Sequence, residues 1–182
     1  MTEDAMMNEG CYLAYGVLRD ALKSRTTEPV AWSWSRTAAE LETRVGAEIR
    51  GISLVALSTA ASDATGEVVP GISFAVQSLP VDGQTPRHSH AWWHVFVVQS
   101  GSGIVGFGDG REAIRMMRND VVLIPAWCVH ELRNDGAEPF VTLNLSNMPQ
   151  QADLANFRTA DGRQSSPCTD PIGKGRTHAT GL

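Results

Sequence analysis

Histidine is the residue type through which this chain could do chemistry. Three of its five histidines stand in Pro86-Arg87-His88-Ser89-His90-Ala91-Trp92-Trp93-His94. A fourth is His130, in Pro125-Ala126-Trp127-Cys128-Val129-His130, and the fifth, His178, lies in the C-terminal stretch. Side chains on a β-strand alternate faces with a period of two. His88, His90 and His94 share one parity, so a single strand would turn three imidazoles to one face. A neutral imidazole offers a ring nitrogen to zinc, iron, nickel, copper or manganese. Burying several unpaired imidazoles costs roughly 1–3 kcal/mol apiece, and a shared ion removes that penalty. The expectation is that His88, His90, His94 and His130 hold one ion together. The sequence has no CxxC pair for zinc, no Ser-His-Asp arrangement, no phosphate-binding loop and no dinucleotide fingerprint.

The elements that must position these rings read as strand after strand. Candidates are Gly51–Leu57, Ile72–Leu79, Trp93–Val98, Ile104–Phe107, Glu112–Met117, Val121–Ile124, Val129–Arg133 and Phe140–Leu145. Between them stand turn formers: Asp82-Gly83, Gly101-Ser102-Gly103, Asp109-Gly110, Asn119-Asp120, Pro125 and Asn134-Asp135-Gly136. Short strands with hardly any helix between them predict an all-β antiparallel sandwich or small barrel. A parallel sheet would need crossover helices for which there is no room. The barrel is expected over residues 50–147. Ahead of it, residues 1–49 read as a partly helical segment, with one helix near Tyr12–Leu22 and another over Thr37–Thr43, where Leu41 and Val45 are spaced i, i+4. A C-terminal extension over 148–160 and a flexible tail over 161–182 follow, the tail almost without large apolar residues.

Composition narrows the partners. The chain has 182 residues, enough for one ordinary domain with a real core. Its 15 basic and 20 acidic residues give a formal net charge of −5, with no block of like-signed lysine or arginine. That argues against a nucleic-acid footprint and against a polybasic membrane anchor. The apolar run Val121–Val129 is broken by Pro125 and falls far short of the roughly 20 residues of a membrane span. An acidic start, Met1-Thr2-Glu3-Asp4, with no apolar run after it is not a secretory signal. Three widely spaced cysteines, Cys11, Cys128 and Cys168, make a disulfide framework unexpected and a reducing cytoplasm the expected location.

The histidine segments resemble the cupin motifs. Gly83 … His88-x-His90-x3-His94-x6-Gly101 is similar to the first, and Pro125-x-Trp127-x2-His130-x3-Asn134 to the second. The resemblance covers residues 83–134 and implies a single-domain cupin, a double-stranded β-helix or jelly-roll barrel, with a short helical N-terminal segment. It also implies a homodimer paired through barrel strands. The departures are informative. Gly83 stands one residue closer to the first histidine than usual, Asn119-Asp120 replaces Gly-Asp, Trp127 replaces the glycine of Pro-x-Gly, and His94 replaces the usual glutamate. Pro-Arg-His-Ser-His-Ala-Trp-Trp-His looks like the small bacterial cupins that bind manganese with four histidines. The flanks over about residues 32–160 are similar to the C-terminal cupin half of gentisate 1,2-dioxygenases. They include Trp34-Ser35-Arg36-Thr37, Gln77-Ser78-Leu79-Pro80 and Leu145-Ser146-Asn147-x-Pro149-x-Gln151. In that family the catalytic iron belongs to the other half, so the flanks speak for ancestry more than for activity.

Four neutral ligands would leave a divalent ion its full charge, favour anionic ligands and leave two of six positions open. A gentisate-type reaction uses three, two for a chelating substrate and one for dioxygen. The expected ion is manganese or iron, with nickel or zinc as alternatives. Trp92, Phe96, Trp127, Arg87 and Gln77 are the expected substrate pocket, apolar walls with few polar groups, and Arg87 could steady a carboxylate. Cys128 reads as apolar filler. The leading functional expectation is a metal-dependent, dioxygenase-like enzyme acting on a small aromatic or enolic acid. A non-redox metal isomerase or lyase, and a small-ligand sensor without turnover, are the alternatives.

Overall fold

A computed structural model describes residues 13–23, 29–44, 52–59 and 66–160. Two helices come first, α1 (Tyr15–Lys23) and α2 (Trp34–Thr43). Strands β1 (Ser53–Leu57), β2 (Glu67–Val69), β3 (Ile72–Leu79), β4 (Ser89–His90), β5 (His94–Ser100), β6 (Gly103–Phe107), β7 (Ile114–Met116), β8 (Val121–Ile124), β9 (His130–Asn134) and β10 (Phe140–Ser146) follow. A short helix α3 (Met148–Asp153) and strand β11 (Thr159–Ala160) complete the described chain. The expected tail over 161–182, and Val45 beyond α2, lie outside the described residues.

The strands pair antiparallel throughout. The larger sheet runs β1-β3-β10-β5-β8, with β2 also on β3; the smaller ones are β7-β6-β9 and β11-β4. Bridges Gln84↔Arg133 and His88↔His130 attach the segment before β4 to β9. The two faces close on one core. Leu79, Phe96, Val98, Ile124 and Phe140 from the larger sheet meet Val105, Met116 and Leu132 from the smaller one. This is the all-β barrel expected from the sequence.

Register places the inward rows. Across β3, β10, β5 and β8 one row is Ser73, Ser146, His94, Ile124; the next is Ala75, Asn144, Phe96, Val122; the third joins Gln77, Thr142 and Val98. The outer face of the same sheet carries a second, smaller cluster, where Leu41 of α2 packs with Val76 and Val141. α2 starts where Ser33, in extended conformation, accepts a hydrogen bond from the Arg36 N–H at 3.4 Å. Among the described residues no helix is long and apolar enough to cross a membrane.

One local expectation is corrected. His88, His90 and His94 do not share a strand: β4 ends at His90, the chain bends through Ala91 and Trp92, and His94 opens β5. Longer-range bonds make the break. The Ala91 N–H donates to Arg158 O at 3.0 Å, the Trp127 N–H to His90 O at 2.7 Å, and the Trp93 N–H to Asn147 Oδ1 at 3.0 Å.

Candidate metal centre

Three separate placements bring the imidazoles to one end of the barrel. His88 and His130 are direct antiparallel partners, exchanging N–H···O bonds of 3.0 and 2.9 Å, so their side chains leave one face. His90 follows on β4, two residues on. His94 enters from the opposite sheet on β5. Ring centroids are 4.5 Å apart for His88 and His130, 5.1 Å for His90 and His130, and 4.6 Å for His90 and His94.

Each ring is fixed by its Nδ1. That atom lies 2.7 Å from Pro86 O in His88, 2.7 Å from Trp92 O in His90 and 2.8 Å from Cys128 O in His130. In His94 it lies 2.7 Å from Asn144 Oδ1. Carbonyl oxygens only accept, so Nδ1 carries the proton in all four rings and Nε2 is left with a lone pair. The ligand atoms of His88, His90 and His130 all lie within 4.8 Å of one another. His94 falls outside that group. Its Nε2 is 3.0 Å from His90 Nε2, yet it already accepts the Trp92 indole N–H at 3.1 Å.

Burial holds the rings neutral. Desolvation, with the neighbouring imidazoles adding to it, pushes His90 and His94 down to about 3. It pushes His130 down to about 4. The group contains no carboxylate. A set of neutral, pre-oriented Nε2 lone pairs fits a divalent transition ion, and gives hard oxygen-seeking ions such as calcium nothing to bind.

The expected pocket residues are distributed unevenly. Trp92 is buried and stacks on His90 at 4.2 Å with parallel rings. Phe96 is buried with its ring 5.2 Å from His94. Gln77 faces the barrel interior opposite Thr142, whose buried hydroxyl has no hydrogen-bond partner among the described residues. Trp127 is tied to the cluster through its backbone, and its φ of 63° explains why the related pattern has glycine there. Asn119, at φ 74°, likewise stands where the pattern has glycine. Arg87 is not brought to the rings. It neighbours His88 in the chain and so leaves the other face, where it pairs with Glu131 at 2.9 and 3.3 Å. Cys128 packs against the core, and burial pushes its thiol up.

Two residues in contact with the site were not anticipated. Asn144 orients His94, and its only sequence signal is an amide at an inward position of an apolar strand. Phe157, beside β11, stacks on the outer face of Trp92 at 4.8 Å; nothing local marks it.

Residues 75–146 match the family described as the cupin domain. The chain is 28% identical to a gentisate 1,2-dioxygenase from a Streptomyces species, over 71% of this chain and 38% of that enzyme. Its fold is similar to salicylate 1,2-dioxygenase from Pseudaminobacter salicylatoxidans, with a TM-score of 0.64 and 20% identity over 72% of this chain and 39% of the other. The adduct of that enzyme with gentisate gives 0.63 and 20% over 70% and 36%. The chain therefore spans about two fifths of the length of these relatives.

Proposed function

We propose, for a chain that carries a cupin domain over residues 75–146, that it is a metal-dependent oxygenase acting on a small aromatic or enolic acid. The observation that carries the reading is the trio His88, His90 and His130, whose ligand atoms gather within 4.8 Å while each Nδ1 is held by a backbone carbonyl. Manganese or iron suits such a site, with nickel or zinc as alternatives. A bound ion would supply undiminished positive charge for anionic substrate oxygens and, as iron or manganese, electrons for dioxygen. The chain's own part is to hold the three donors rigidly and to keep the surroundings apolar through Trp92 and Phe96.

On this reading His88, His90 and His130 would be the ligands, with His94 engaged by Trp92, and room would be left for both oxygens of a hydroxy acid and for dioxygen. That removes the counting objection to a ring-cleaving reaction. The relatives' names make gentisate and salicylate the first candidates. A non-redox isomerase or lyase is favoured by one feature, the wholly neutral donor set, which resists loss of an electron from the ion. Pairing of two copies belongs to the same proposal, supported by Val121 and Leu123, which stand 62% and 60% exposed on the outer face of β8; light scattering tests it.

Metal analysis of freshly purified protein, followed by oxygen uptake with hydroxylated benzoates and 1,3-dicarbonyls, is the deciding experiment. One ion per chain and substrate-dependent oxygen consumption are expected. Turnover without oxygen would favour the isomerase or lyase, and binding without turnover a sensor. His88→Ala and His130→Ala should each weaken metal binding by more than about 100-fold, and metal binding that survives both would remove the reading.

A further inference from the structure

We propose that Trp92 is a positioning residue that keeps His94 in reserve. Its indole N–H occupies the one lone pair through which His94 could join the ion. The proposal rests on His88, His90 and His130 as the resident ligands, and it concerns the fourth ring only.

The four imidazoles are not equivalent. His88, His90 and His130 each use Nδ1 on a backbone carbonyl. His94 uses both nitrogens on protein, Nδ1 donating to Asn144 Oδ1 at 2.7 Å and Nε2 accepting from Trp92 Nε1 at 3.1 Å. An imidazole nitrogen has a single lone pair, so a hydrogen bond there and a metal bond there exclude each other. Distance alone does not keep His94 away. Two nitrogens at right angles on one ion, each about 2.1 Å from it, stand about 3.0 Å apart, and His94 Nε2 is 3.0 Å from His90 Nε2. The ring is at ligand distance from one member of the trio and engaged elsewhere.

Trp92 is seated so that it stays engaged. Its ring lies between His90, parallel at 4.2 Å, and Phe157, at 4.8 Å and 25°. Phe157 precedes β11, which pairs with β4 through Thr159↔His90. The same strand pairing that holds the ligand His90 therefore holds the stack that holds the indole. Release of Trp92 would add a fourth nitrogen to the ion and remove one position from incoming ligands. The seated indole keeps the site open.

Cobalt(II) is the probe, because its visible spectrum follows coordination. Its affinity and spectrum would be measured for the wild type, His94→Ala, Trp92→Phe and the double variant, with circular dichroism and thermal unfolding to verify the fold. In the wild type, His94→Ala should change affinity by less than about threefold and leave the spectrum unaltered. Trp92→Phe keeps the stacked ring but loses the N–H; it should tighten binding about tenfold and shift the spectrum. Adding His94→Ala to it should return both to the wild-type values, a coupling that a merely structural role for Trp92 would not produce. A tenfold loss from His94→Ala alone would show that His94 is already a ligand. An unchanged Trp92→Phe protein would show that the indole controls nothing. Either overturns the proposal, whereas cobalt binding indifferent to His88→Ala overturns the metal reading itself. Should Trp92→Phe fail to fold, Phe157→Leu loosens the same stack from outside: about threefold tightening is expected, and unchanged affinity counts against the proposal.

Discussion

The site is defined by which nitrogen of each ring carries the proton. Four carbonyl oxygens at 2.7–2.8 Å fix that choice, and burial keeps the rings neutral. The consequence is a pH dependence of the metal-free protein. His90 and His94, at about 3, and His130, at about 4, stay neutral in the folded chain under mild acid. In the unfolded chain they take up protons below about 6.5. The unfolded state then binds more protons, so stability is fully present above about pH 6.5 and falls as the pH drops towards 4. Each ring contributes about 1.4 kcal/mol per pH unit in that window. Denaturant unfolding in the presence of a chelator should show a clear loss between pH 7 and pH 5, and equal stability at the two would show that the rings are not buried neutral. That these histidines come together was legible in the sequence, because their spacing within two short segments is local. The engagement of His94 was not, since Asn144 reaches its Nδ1 from 50 positions away in the chain and Phe157 stacks on Trp92 from the far end of the described residues.

At the level of elements, Ile72–Leu79 and Val121–Ile124 coincide with β3 and β8, and most other strands differ from expectation by one or two residues. Alternation and turn residues carry that information locally. The break between His90 and His94 does not follow from them, because it is made by bonds to Arg158, Asn147 and Trp127. A parity argument applied across a bend put three rings on one strand where two sheets share them. Another element-level constraint sits where the chain crosses from β5 in the larger sheet to β6 in the smaller one, a turn in which Gly101 takes φ 73°. At Gly103, on β6, a Cβ would collide with the buried ring of Phe140 and lie 2.7 Å from Arg133 O. Overpacking of this kind typically costs about 1–3 kcal/mol. Gly103→Ala should destabilise by that amount, and pairing it with Phe140→Leu should recover part of the loss relative to the sum of the two single changes. Strict additivity in chemical denaturation would mean that the ring is not what the methyl meets.

For the whole molecule, the ion would act as a clamp. His88 and His90 belong to the segment that bridges onto β9, His130 opens β9, and His90 is paired in turn with β11 from the end of the described chain. These groups gather only when the β4 segment is seated on β9 and β11 on β4, so the unfolded chain has no comparable site. Binding then stabilises by mass action, by about 2.7 kcal/mol at a free metal concentration 100 times Kd. For a domain of this size each kcal/mol shifts Tm by about 2–4 °C, so manganese or iron(II) should raise Tm by about 5–10 °C and a chelator should reverse it. The shift separates the rings by role. His88→Ala should abolish it, because a resident donor is gone. His94→Ala should retain most of it, because that ring's lone pair is spent on Trp92. A shift lost equally in both variants would make the clamp four-cornered, and no shift in the wild type would leave the cluster as packed neutral histidines without an ion.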